Sequence, residues 1–116
     1  MAEPRAPLQV KASRQDAAII VQPTGDVDLT GSPMLRAELR KAAGEQGSKL
    51  VIDLTGVPYM DSSGVATLVE ALQQARKSGK SLVVCGLSAR VRSIFAIARL
   101  ESVFTIVPTL ADALKS

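Results

Sequence analysis

The sequence predicts an α/β fold: a mixed, largely parallel sheet of about five strands, with an N-terminal antiparallel hairpin and about four helices. Three observations carry this. Short apolar runs (AAIIVQ, LVIDL, SLVVCG, FTIV) alternate with segments whose apolar residues recur three and four apart. The first two strand-like runs are separated only by a turn, as in a hairpin. Thereafter every strand is followed by a helix, which implies right-handed crossovers between parallel strands.

Residues 1–7, with two prolines, read as a loose N-terminal arm, and residues 8–116 read as a single domain. Leu8, Val10 and Ala12 alternate with polar residues, as in a half-buried strand. SRQD makes the turn, and AAIIVQ is the second strand, interrupted by Pro23, Thr24 and Gly25. Ser32 before Pro33 predicts a helix with Ser32 as N-cap and Pro33 at the first helical position, where its missing N–H costs nothing. Leu35, Leu39 and Ala42 or Ala43 form its inner face, Arg36, Arg40 and Lys41 face out, and Gly44 and Gly47 end it. LVIDL is a buried strand leading through TGVPYM to a helix whose apolar face is Val65, Leu68, Val69 and Leu72, closing at Lys77, Ser78 and Gly79. SLVVCG is the next strand. Ser88 caps a helix over Ala89 to Arg99 with Val91, Ile94, Phe95 and Ala98 inside. FTIV is a last strand stopped by Pro108, and Thr109 caps a short final helix.

Composition narrows the function classes. The chain has 116 residues, 47% of them hydrophobic, and a formal charge of +3 from 14 basic and 11 acidic residues, spread without a basic block. One Tyr, two Phe and no Trp leave no stacking platform for single-stranded nucleic acid, so nucleic acid is not an expected partner. Histidine is absent and Cys85 is the only cysteine, which removes internal disulfides and His/Cys zinc patterns. The start has no apolar signal-like core and no run is long enough to span a bilayer, so a cytoplasmic protein without membrane insertion is expected.

Several fragments resemble pieces of catalytic or ligand-binding motifs. Asp26 to Thr30, DVDLT, matches the Asp-x-Asp-x-Thr of haloacid-dehalogenase-type phosphatases, but Pro23-Thr24-Gly25 separates it from the preceding strand and no later acidic pair is placed for Mg²⁺. Read as a calcium loop, the same stretch has Thr30 at the fifth position and Ala37 at the twelfth. Gly79-Lys80-Ser81 lacks the earlier glycine of a phosphate-binding loop, Gln74 standing in its place, and reads as a helix stop with a solvated lysine. Ser62 has part of the setting of a hydrolase nucleophile, yet Met60 replaces the first glycine and the chain has no histidine or Ser-x-x-Lys to take its proton. No enzyme, metal or cofactor is expected. Asp61, Ser62, Ser63 and Gly64 stand where a helix begins, and any of the first three is a natural cap. A serine without an activating base can still be a substrate.

The stretch VIDLTGVPYMDSSGVATLVEAL, Val51 to Leu72, resembles the signature of STAS domains of the bacterial anti-sigma factor antagonist type. GDVD, Gly25 to Asp28, is similar to that family's Gly-x-x-Asp segment, and Ser81 to Ile106 resembles its later strand, helix and strand. The resemblance implies a STAS fold and a regulated binding protein. It makes Ser62 the phosphoacceptor and Asp61 its acidic neighbour in binding and phosphorylation. Ser63 and Gly64 complete the turn, and Asp28 lies on the surface that meets the partner. Tyr59 and Met60 either join that surface as exposed contacts or fold inward. Arg90 and Arg92 read as a solvated helix face instead of a phosphate clamp. The implied partners are an anti-sigma factor that is itself a serine kinase and a phosphatase acting on phosphorylated Ser62. A phosphate at Ser62 is expected to meet the N–H groups and positive dipole end of the helix. The same family implies an alternative, an accessory subunit of an ABC-type lipid transport system.

Overall fold

The computed structural model describes residues 7–116. The elements run β1 (Gln9–Gln15), β2 (Ala18–Thr24), α1 (Ser32–Gly44), β3 (Lys49–Asp53), α2 (Ser62–Lys77), β4 (Ser81–Cys85), α3 (Ala89–Ile97), β5 (Thr105–Val107) and α4 (Leu110–Lys115). The strands lie side by side in chain order, β1 antiparallel to β2 and the rest parallel. This is the sheet the alternation of elements predicts. The arm expected over residues 1–7 falls, apart from Pro7, outside the described residues.

Register builds the core. Ile19, Leu50 and Leu82 line up across three strands, as do Val21, Ile52 and Val84, and these two rows face Leu35, Leu39, Leu68, Val91 and Phe95 of α1, α2 and α3. Successive crossovers of one hand between neighbouring strands put those three helices on one face. The alternate row, Ile20, Val51 and Val83, points to the other face with Cys85 and is covered around Ala113 by α4. Truncating a central residue such as Leu50 to Ala in such a layer costs about 2–5 kcal/mol.

Five details depart from the sequence reading, each for a local reason. β1 runs on through Gln15, because Asp16 takes a φ of +53° and closes a two-residue turn; Ala12 on this edge strand is exposed. β2 continues through Pro23. Gly25 N–H donates toward β3, to Gly56 O, so by the two-residue period the Pro23 nitrogen faces the same way, beyond the β2–β3 register that ends at Val21. The N-cap of α1 is Gly31, not Ser32; Ser32 is buried and accepts no capping bond. α3 stops at Ile97, because Arg99 sits at φ +59° while Arg99 and Leu100 N–H groups donate back to the Ala96 and Phe95 carbonyls, a Schellman ending. Lys80 is not solvated. It is only 8% exposed, and its Nζ donates to the Ala43 carbonyl in the last turn of α1 at 2.9 Å. Lys49 does the same for α4 through the Ala113 carbonyl at 2.9 Å. Both ammonium groups thus satisfy carbonyls that helix ends leave without partners.

A polar cluster ends β3. The buried Asp53 carboxylate accepts from the Thr55 hydroxyl at 2.6 Å, Thr55 N–H at 3.1 Å and Gln22 Nε2 at 3.0 Å. Burial alone would raise its pKa, but these bonds and the Cys85 thiol together hold it below the usual carboxylate value. The thiol moves the other way, pushed up to about 12 by burial and then by the Asp53 charge.

Two substitutions test this account. Gly86 has φ +72°, and a Cβ there would lie 2.2 Å from Thr55 Oγ1 and 2.9 Å from Asp53 Oδ1. Gly86→Ala is expected to lower stability by about 2–4 kcal/mol through backbone strain and the broken Asp53–Thr55 pair. Arg99→Gly relieves left-handed strain of about 1–2 kcal/mol against about 0.5–1 kcal/mol of added backbone entropy, so its urea midpoint is expected to rise while that of Gly86→Ala falls.

Candidate functional site

Beyond the strand ends, the β2–α1 and β3–α2 loops are zipped together by main-chain bonds. Gly25 N–H donates to Gly56 O at 2.9 Å, Val27 N–H to Tyr59 O at 3.0 Å and Asp61 N–H to Val27 O at 3.1 Å. This extends the parallel pairing as two isolated bridges, Thr24 with Gly56 and Val27 with Met60. The loop that carries Asp28 is thereby fixed beside the loop that carries Ser62.

At the start of α2, Asp61 is the N-cap. Its Oδ1 accepts from the Ser63 hydroxyl at 2.6 Å, Ser63 N–H at 2.9 Å and, more weakly, Gly64 N–H at 3.4 Å. The Ser63 hydroxyl bond, with the Ser63, Gly64 and Leu29 main-chain N–H groups, outweighs desolvation and holds the Asp61 carboxyl below its ordinary pKa. The two serines therefore differ. Ser63 is half-buried and its hydroxyl is committed to Asp61. Ser62, at the first helical position, is exposed, and among the described residues nothing hydrogen-bonds its hydroxyl. Gly64 is pressed against the loops beneath: a Cβ there would fall 2.4 Å from Met60 Cγ and 2.8 Å from Val27 Cγ1.

The remaining residues singled out in the sequence divide into surface and support. Asp28 is half-buried beside the α1 start, where its Oδ1 accepts from Thr30 and Gly31 N–H, each at 3.0 Å, and its carbonyl from Ser32 N–H at 2.8 Å. Tyr59 is half-buried, with the Arg90 guanidinium 5.3 Å from its ring centroid, so Arg90 has an aromatic neighbour as well as solvent. Met60 and Gly64, expected on the partner-binding surface, both lie buried in this arrangement. Met60 is 0% exposed, having turned inward under α2, and Gly64 is buried by the close approach just described. Both form the floor of the site.

A shallow groove of roughly 390 Å³ runs beside Ser62, bounded by Tyr59, Val65, Ile94, Ile97 and Ala98. Ile97 is 83% exposed on one side of it, and Leu29 is 79% exposed in the neighbouring loop. Sequence reading passed over both. The signal for Ile97 was its place off the Val91–Ile94–Phe95 stripe, on the outer face of α3; Leu29 carried no pattern.

Loss of the Asp61 cap by Asp61→Ala is expected to cost about 1 kcal/mol at neutral pH. Because the folded pKa is depressed, the charge-dependent part of this stabilisation is present above the unfolded value of about 3.9 and is lost as pH falls through the lower folded value. Asp61→Asn keeps a capping oxygen without the charge, so its urea midpoint is expected to lie below that of the wild type at pH 7 and to converge on it only as pH falls through the depressed folded value.

Comparison with known proteins gives this geometry a family. Residues 9–113 match the STAS domain model. The chain is 34% identical over 99 residues to the anti-sigma-B factor antagonist of Bacillus subtilis strain 168, covering 85% of this chain and 90% of that protein. Its fold is similar to that of an anti-sigma factor antagonist from Mycobacterium paratuberculosis, with a TM-score of 0.88 at 23% identity over 99% of this chain and 97% of that one. It is also similar to the phosphorylated form of the Bacillus cell fate determinant SpoIIAA, with a TM-score of 0.71 at 16% identity over 92% and 97% of the two chains. A shared fold, a relative 34% identical over most of both chains, and a family match over nearly the whole chain lead to one conclusion: this chain belongs to the STAS domain family.

Proposed function

We propose that the chain is an anti-sigma factor antagonist, a protein-binding switch and not an enzyme, controlled by phosphorylation of Ser62. Unphosphorylated, it holds an anti-sigma factor that is itself a serine kinase and so frees a sigma factor in the cytoplasm. That kinase transfers the γ-phosphoryl group of ATP to Ser62 Oγ, the hydroxyl proton is lost and ADP leaves; a separate phosphatase hydrolyses the ester and restores binding. The observation that carries the reading is the exposed, uncommitted Ser62 hydroxyl beside a Ser63 hydroxyl already held by Asp61. The name of the Bacillus relative supports the partner class. Tyr59, Asp61 and Ser63 border Ser62 on the proposed binding face, with Asp28 in the loop beside it, and the apolar groove and exposed Leu29 and Ile97 supply area for a protein contact.

Charge explains how one phosphate releases the partner. Phosphorylation adds about −1.5 to −2 charges next to the ionised Asp61. Leaving such a charge unmatched in an interface costs on the order of several kcal/mol, and each 1.4 kcal/mol is about tenfold in affinity. The complex is then lost without unfolding either protein.

Coexpression with the serine-kinase anti-sigma factors of the same organism, read by intact mass, tests the reading. One phosphate is expected on the wild type and on Ser63→Ala and none on Ser62→Ala, with binding to the same kinase reduced at least about 100-fold by Ser62→Asp, or roughly 2.7 kcal/mol. No phosphate and no kinase binding would overturn the antagonist reading and bring the transporter accessory subunit forward.

A further inference from the structure

We infer that α4 is a hinged cover on the second face of the sheet, latched by Lys49, and that it opens as a unit while the rest of the fold stays closed. The two sides of this contact are unequal. Ile20, Val51, Val83 and Cys85 on the sheet are each at most 4% exposed, and Ala113 is the α4 residue fully buried against them. Leu110 and Leu114 are half-buried, and Ala111, Asp112 and Lys115 are exposed. A helix of six residues does not hold itself together in water, and one buried alanine with two half-buried leucines supplies little apolar area to keep it in place.

The two ends of α4 are held differently. Thr105 to Val107 of β5 pair with Val83 to Cys85, and Cys85 pairs with Asp53, the last residue of β3. The chain therefore enters α4, through Pro108 and Thr109, at the carboxyl ends of the strands, and runs back across the sheet to Lys49, the first residue of β3. Two residues before Val51, the Lys49 side chain points to the same face, and its backbone is fixed between Ala18 of β2 and Ser81 of β4. Its Nζ donates to Ala113 O at 2.9 Å, to Leu114 O at 3.4 Å and to Ser116 O. Among the described residues these are the hydrogen bonds that join α4 to the sheet. The others are internal to it: Ala113 N–H donates to Thr109 O, Ser116 N–H to Asp112 O, and Thr109 and Asp112 cap the first turn.

One ammonium group is thus the polar latch, while the main core under α1, α2 and α3 lies on the opposite face and does not depend on it. When the cover lifts, Ile20, Val51 and Val83 form an apolar row open to water. Opening of this kind is a local unfolding step, of lower free energy than loss of the whole structure. It gives the chain a second surface, controlled from the end of the sheet opposite Ser62.

Native-state amide hydrogen exchange on the full chain tests this, in the wild type and in Lys49→Met, which keeps an unbranched stem and removes the charge. In the wild type, Ala113 and Ser116 amides are expected to exchange through a common opening at least about tenfold more frequent than that of Val51 and Ile52 in β3. Urea below the unfolding transition is expected to accelerate exchange at Val51 and Ile52 strongly and at Ala113 and Ser116 little, since opening α4 exposes little surface. In Lys49→Met the α4 opening is expected to become at least about tenfold more frequent, the equivalent of one hydrogen bond to a charged group, with the amide spectrum of the strands and of α1, α2 and α3 retained. Exchange of Ala113 and Ser116 at the rate and urea dependence of Val51 and Ile52 would overturn the inference, because α4 would then leave only with the whole fold. Unchanged α4 exchange in Lys49→Met would remove the latch, and a Lys49→Met chain that does not fold would show that the sheet depends on its cover.

Discussion

The first turn of α2 can lie against the end of the Val27 loop only because residue 64 has no side chain. Gly64 lets the helix approach Met60 and Val27 more closely than any Cβ would permit, and that approach lets Asp61 N–H reach the Val27 carbonyl. From this contact the other features of the site follow. The two loops are locked together, Asp28 is brought to the same end of the sheet as Ser62, and Met60 turns inward beneath α2. A bulkier residue would push α2 outward and separate the halves of the surface.

Most of the fold was legible because its signals are local and repeat. Apolar runs gave the strands, three-and-four spacing gave the buried faces of α1 and α2, and Ser88 and Thr109 cap α3 and α4 as their positions suggest. The errors fall where tertiary context overrides a local rule. Ser32 before Pro33 reads as a cap, but the chain enters α1 through a turn built by Asp28, so Gly31 takes the role. Lys80 after a glycine stop reads as solvated, but β4 begins beneath the end of α1 and a carbonyl waits there. Arg99 gives no sign in sequence that it will adopt a backbone conformation glycine usually supplies.

The site was legible as a cluster, not as a division of labour. Sequence alone offers Asp61, Ser62 and Ser63 as equivalent caps. Which one caps depends on side-chain direction at the loop–helix junction, and only the structure separates the residue that accepts from the residue that donates and the residue left over. Leu29 and Ile97 were missed because an isolated apolar side chain on a surface has no period to betray it. Ile97 stands out only once the groove it shares with Ser62 is seen, and Leu29 only by its exposure in the neighbouring loop.

Cys85 is buried against the α4 face, and the Asp53 carboxylate beside it opposes loss of the thiol proton. With the pKa pushed up to about 12, almost none of it is thiolate at neutral pH. Cys85 is therefore unreactive toward thiol-directed reagents while the chain is folded with α4 in place. A cysteine placed at a surface position such as Ile97 would be the single reactive thiol of the molecule, so a fluorophore or spin label can be attached beside the groove with the native cysteine left in place.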